Sequence, residues 1–66
     1  MAVAKIIEVT SRSADSFDDA IAQGISKAGE SVHNITSAWV KDMQVSVQDG
    51  SPSAYQVDLK ITFLVD

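Results

Sequence analysis

The residues in this chain with side chains suited to recognition or reaction are few and scattered. Trp39 is the sole tryptophan; its aromatic plane either stacks on a planar ligand or anchors a subunit interface. Gln56 carries an amide that both donates and accepts, as a heterocyclic ligand requires. It stands in an otherwise apolar stretch, where a solvent-facing place on the alternate face is the simpler account. Asp15 and Asp42 offer the oxygen donors that a hard cation such as calcium takes, against the plainer role of solvated surface carboxylates. His33 follows a helical segment, where partial positive charge suits the last carbonyls. Ser11, Ser13 and Ser16 have no neighbouring histidine or lysine to activate a hydroxyl, and there is no glycine-rich phosphate loop. The sequence contains no catalytic constellation, so the expectation is a binding protein and not an enzyme.

Composition narrows what such residues can serve. The 66 residues leave room for one domain, residues 1–66. A chain of this size buries only about 60% of its unfolded surface, and small domains compensate with disulfides, metals or association. With no cysteine and one histidine, disulfides and thiolate sites are excluded and a zinc site lacks ligands. Association with copies of the same chain is the remaining route. Nine acidic residues against five basic ones give a net charge of −4, without the basic cluster that a phosphate backbone demands, so no nucleic-acid partner is expected. The opening Met1-Ala2-Val3-Ala4-Lys5-Ile6-Ile7 is too short an apolar run to span a bilayer and lacks the pattern of a signal peptide. No membrane partner is expected, and the reading is a soluble, cytoplasmic protein.

The elements that must position these residues are legible as β-α-β-β. The clearest is the last strand, where Tyr55, Val57, Leu59, Ile61, Phe63 and Val65 alternate with Gln56, Asp58, Lys60, Thr62 and Leu64. A first strand is predicted over Val3 to Thr10, followed by a short polar connection through Ser11-Arg12-Ser13 with Ala14 and Asp15. Ser16 reads as a helix N-cap whose hydroxyl accepts from the amide of Asp19. A helix is predicted from Ser16 to Val32, with Phe17, Ile21, Ile25, Ala28 and Val32 on one stripe and Asn34 leaving it. Ala20 and Gly24 beside that stripe permit close approach to a sheet. The second strand is predicted over Ile35 to Gln48. Its apolar residues change parity between Val40 and Met43, which predicts a bulge near Lys41 and Asp42. Asp49-Gly50 marks the hairpin turn, with Ser51-Pro52-Ser53 implying a loop longer than two residues. The fold class is α+β: a three-stranded antiparallel sheet packed on one helix. One helix cannot cover three such strands, so Trp39, Ile35 and Leu64 on the other face await copies of the same chain.

The order and spacing of these segments along nearly the whole chain resemble the dodecins, small flavin-binding proteins. The resemblance is carried by Lys5-Ile6-Ile7-Glu8-Val9, Ser16-Phe17-Asp18-Asp19-Ala20-Ile21, Val32-His33-Asn34-Ile35, Tyr55-Gln56-Val57 and Lys60-Ile61-Thr62-Phe63-Leu64. It implies a homo-dodecameric hollow shell that stores flavin (riboflavin, FMN or FAD) without acting as an enzyme. It further implies that isoalloxazine rings lie between a tryptophan of the second strand and a glutamine of the third. Gln56 falls on the glutamine position. The tryptophan position falls on Ser37, and Trp39 stands two residues later, about 6.6 Å further along the same nominal face. Some dodecin-like proteins that lack the stacking aromatic are flavin-free calcium dodecins, and Asp15 and Asp42 resemble carboxylates lining the site in some flavin binders. Two expectations follow. One is flavin sequestration, with Gln56 at the pyrimidine edge and Trp39 stacking. The other is a flavin-free assembly, structural or calcium-binding through Asp15 or Asp42.

Overall fold

The structure, a computed structural model, describes residues 3–65. Strand β1 (Val3–Ser13) leads into helix α1 (Phe17–Ala28), and strands β2 (Ile35–Gln48) and β3 (Ser51–Val65) follow. All three strands are antiparallel in the order β1-β3-β2, so the last strand is the central one. That place follows from its composition, because β3 has the most regular alternation and the side chains best suited to burial. Val57, Leu59 and Ile61 are buried against α1 together with Ala20 and Ala28. Each of the three large side chains contributes about 1.5–3 kcal/mol of hydrophobic stabilisation.

The helix begins as its sequence predicts. Ser16 Oγ accepts from the Asp19 amide at 2.9 Å, with Asp18 and Asp19 at the positive end of the dipole. It ends four residues earlier than the apolar stripe suggested, at Ala28 and not Val32. Gly29 weakens continuation, and the chain tightens into i−3 bonds from Glu30 N to Lys27 O and from Ser31 N to Ala28 O. These bonds satisfy the last carbonyls. His33 lies beyond them and is exposed. Asn34 then turns the chain with a φ of 63°, a left-handed conformation that asparagine tolerates. Its carbonyl accepts from Leu64 N at 3.0 Å, which seats the start of β2 on β3.

Pairing with β3 also revises three local expectations. The segment Ser11-Arg12-Ser13 is strand, not connection, because β3 offers partners as far as the Ser13–Tyr55 pair. The hairpin loop is only two residues long: Asp49 and Gly50 have φ of 52° and 79°, the pair of positive values that a type I′ turn needs. Ser51-Pro52-Ser53 belongs to β3, where a register shift between the Ser46–Ala54 and Val47–Pro52 pairs absorbs the extra residue. Ile35 packs against the core and not on the outer face, because a further shift between Ile35 and Ser37 turns it inward. The bulge predicted near Lys41 is present, between the Val40–Leu59 and Asp42–Asp58 pairs.

Candidate functional site

Alternation along β3 divides the sheet into two faces with different chemistry. One carries Val57, Leu59 and Ile61 and is covered by α1. The other, the open face, carries the intervening residues and has no element of the described residues over it. Its rows across β1, β3 and β2 are Ile6–Thr62–Ser37, Glu8–Lys60–Trp39, Thr10–Asp58–Asp42 and Arg12–Gln56–Gln44. The bulge at Lys41 keeps this order. Without it, the parity of β2 would turn Asp42 and Gln44 toward the helix.

Trp39 is 65% exposed, with the Lys60 Nζ at 5.4 Å from its ring centroid, close enough for a cation–π attraction. Lys60 and Lys41 both approach Glu8 Oε1, at 3.9 and 3.8 Å. Such half-exposed pairs stabilise the fold little, but Glu8 ties down the Lys60 ammonium that stands beside the indole. Two rows away, Gln56 is half-buried opposite Gln44 and beside Arg12, whose Nη2 donates to Ser46 Oγ at 3.1 Å. Between them, Thr10 Oγ1 donates to Asp58 Oδ1 at 2.9 Å, and Asp42 faces Asp58.

Four of the residues singled out in the sequence, Ser37, Trp39, Asp42 and Gln56, thus share the open face. They do not converge on one point. Trp39 pairs with Lys60, and Gln56 is four residues earlier on β3, a separation of about 13 Å. Ser37 is exposed one row beyond Trp39. Asp15 is not on this face. It lies in the connection before α1, with its amide donating to Ser13 Oγ at 2.9 Å. Among the described residues no three His, Cys, Asp or Glu side chains are placed to share a metal ion, and Asp15 does not join Asp42 and Asp58. Ser13 is itself committed to structure: its hydroxyl donates to Asp19 Oδ2 at 2.6 Å.

Sequence reasoning passed over Glu8, Lys41, Asp58 and Lys60. The signal for two of them was present, because Asp58 and Lys60 alternate with the buried set and so share a face with Gln56. Glu8 and Lys41 reach the cluster only through the pairing of β1 and the bulge in β2, which are non-local. A groove of about 610 Å³ lies between β1 and α1, lined by Ile7, Val9, Gln23 and Gly24 among others. No aromatic lines it, and its Lys27 is engaged by Glu30 at 3.3 Å. The open face is therefore the better candidate for recognising a planar ligand. No helix among the described residues is long and apolar enough to cross a membrane.

Comparison with known proteins agrees with this architecture. No curated protein sequence matches the chain. The structure superimposes on dodecin from Streptomyces davaonensis with a TM-score of 0.92 at 26% identity, covering 98% of this chain and 96% of that one. It is similar to calcium dodecin from Mycobacterium tuberculosis, a calcium-chelating immunodominant antigen with a novel calcium-binding site. That match has a TM-score of 0.83 at 26% identity, over 97% and 91% of the two chains. Dodecin from Streptomyces coelicolor has the same fold, with a TM-score of 0.92 at 23% identity over 98% and 93%. The family model described as Dodecin matches residues 3–66, and the chain belongs to the dodecin family.

Proposed function

We propose that this protein is a non-enzymatic flavin-binding protein that sequesters the ring within a homo-oligomeric shell, a dodecamer by family resemblance. The observation that carries the reading is the exposed Trp39 on an open face that also presents the Gln56 amide. The indole supplies a stacking plane, and the amide matches the donor and acceptor pattern of the flavin pyrimidine edge. Ser37 supplies no stacking, so Trp39 takes that role from the neighbouring row. Asp42 borders the site, and Asp15 is assigned no contact to the ring.

Titration of riboflavin and FMN with the apoprotein, followed by loss of flavin fluorescence, tests the reading. Saturable quenching is expected, with affinity reduced about tenfold or more in Trp39→Ala and Gln56→Ala, since each removes a stacking or hydrogen-bonding contact. If both variants quench like the parent, the assignment of the site fails. A second reading is favoured by the facing carboxylates of Asp42 and Asp58: a calcium-binding, flavin-free dodecin. Absence of quenching together with a rise in melting temperature on adding calcium would select it.

A further inference from the structure

Charge changes sign from row to row along the open face. At the Trp39 end, Lys41 and Lys60 share one carboxylate oxygen of Glu8, at 3.8 and 3.9 Å. The next row sets Asp42 opposite Asp58. The row after that, Arg12–Gln56–Gln44, holds a cation and two amides and no carboxylate. Arg12 is the sole arginine of the chain, and among the described residues it forms no salt bridge. Its Nη2 donates instead to the neutral Ser46 Oγ at 3.1 Å. Ser46 pairs with Ala54, on the side of Gln56 away from Asp58. The guanidinium therefore reaches from β1 across β3 to β2, past Gln56 and away from the acidic row. It carries five N–H donors and a permanent charge, and Ser46 takes one of those donors without cancelling the charge.

We propose that Arg12 is an oxyanion-recognition residue at the Gln56 end of the open face, and that it makes the site select a ligand bearing a phosphate over its uncharged counterpart. This rests on the reading of the open face as a flavin site, and it adds the ligand class: FMN over riboflavin. The planar fork of a guanidinium matches phosphate oxygens in pairs, which an ammonium does not. The Gln44 amide in the same row offers further N–H donors to the same oxygens. Ser46 acts as a positioning residue. An aspartate in its place would hold the fork equally well and neutralise it, whereas the hydroxyl leaves the charge for a ligand. The acidic row of Asp42 and Asp58 lies about 6.6 Å from the row of Gln56 and repels an anion from the middle of the face. A phosphate is thus confined to one end or the other. At the Trp39 end both lysines already face Glu8; at the Gln56 end the cation is unopposed.

Titration of the full chain with riboflavin and with FMN, followed by quenching of flavin fluorescence, tests it in the parent, Arg12→Gln and Lys41→Gln. The parent is expected to bind FMN about tenfold more tightly than riboflavin, as one charge-assisted contact supplies. Added salt is expected to shrink that preference, because both partners are exposed charges. Arg12→Gln is expected to bring the two affinities together by weakening FMN alone, and Lys41→Gln to leave the preference in place. Equal affinities in the parent, or a preference that survives in Arg12→Gln, would overturn the role of Arg12 while leaving the flavin reading intact. A preference lost in Lys41→Gln would overturn the placement at the Gln56 end. Failure of both flavins to quench with the parent would overturn the flavin reading and this inference with it. Ser46→Ala, which frees the fork and keeps its charge, is the second variant should Arg12→Gln fail to fold by circular dichroism. A smaller FMN preference at unchanged riboflavin affinity would support the assignment, and an unchanged preference would overturn it.

Discussion

Ser13 is buried where β1 passes into α1, and its hydroxyl does the work of a small hub. It donates to Asp19 Oδ2 at 2.6 Å and accepts from the amides of Asp15 and Ser16 at 2.9 and 3.4 Å. Asp19 also accepts from Gln23 Nε2 at 2.6 Å, while its amide is held by Ser16 Oγ. The strand end, the connection and the first helical turn are thus joined through one oxygen. Ser13→Ala is expected to lower stability by about 1–2 kcal/mol, mostly through the lost charge-assisted bond to Asp19. Urea denaturation of the parent and the variant measures it, and an unchanged midpoint would show that water replaces the hydroxyl at no loss. A serine that in sequence resembled an unactivated nucleophile is therefore a structural one.

The contact between helix and sheet depends on one missing side chain. A Cβ built at Gly24 would stand 2.8 Å from Leu59 Cδ1 and 3.1 Å from Ser11 Cβ. Leu59 is fully buried and has no room to retreat. Gly24→Ala would raise helix propensity by about 1 kcal/mol, but overpacking of this kind costs about 1–3 kcal/mol. The net expectation is a lower melting temperature. A higher one would mean that α1 rides further from β3 than the structure has it. Burial thus outweighs propensity at this position, and it explains why a helix weakened by glycine persists.

The molecule extends 51 × 19 × 13 Å, whereas the 12-residue helix spans only about 18 Å. Much of the sheet is left uncovered, including Met43, Val45 and Val47 on the helix side of β2 and Trp39 and Ile6 on the open face. Among the described residues the buried apolar core is five residues, small even for a domain that buries about 60% of its chain surface. Folding and association are expected to be linked, so the melting temperature should rise with protein concentration. Calorimetry over a wide dilution range checks this. A concentration-independent transition would show a protomer that stands alone.

What the sequence by itself determined is what local pattern encodes. The alternation of Tyr55 to Val65 gave β3 its buried and open faces, the Ser16 cap started the helix, and the change of parity after Val40 located the bulge at Lys41. The family was legible too, from the order of segments along the chain. Tertiary structure alone decided the length of β1 through Ser13, the inward turn of Ile35, the two-residue hairpin and the separation of Trp39 from Gln56. All but the hairpin depend on register against a strand distant in sequence, and a one-residue shift in register exchanges the faces of every side chain beyond it. Local periodicity records which residues alternate; only pairing sets which of them meet.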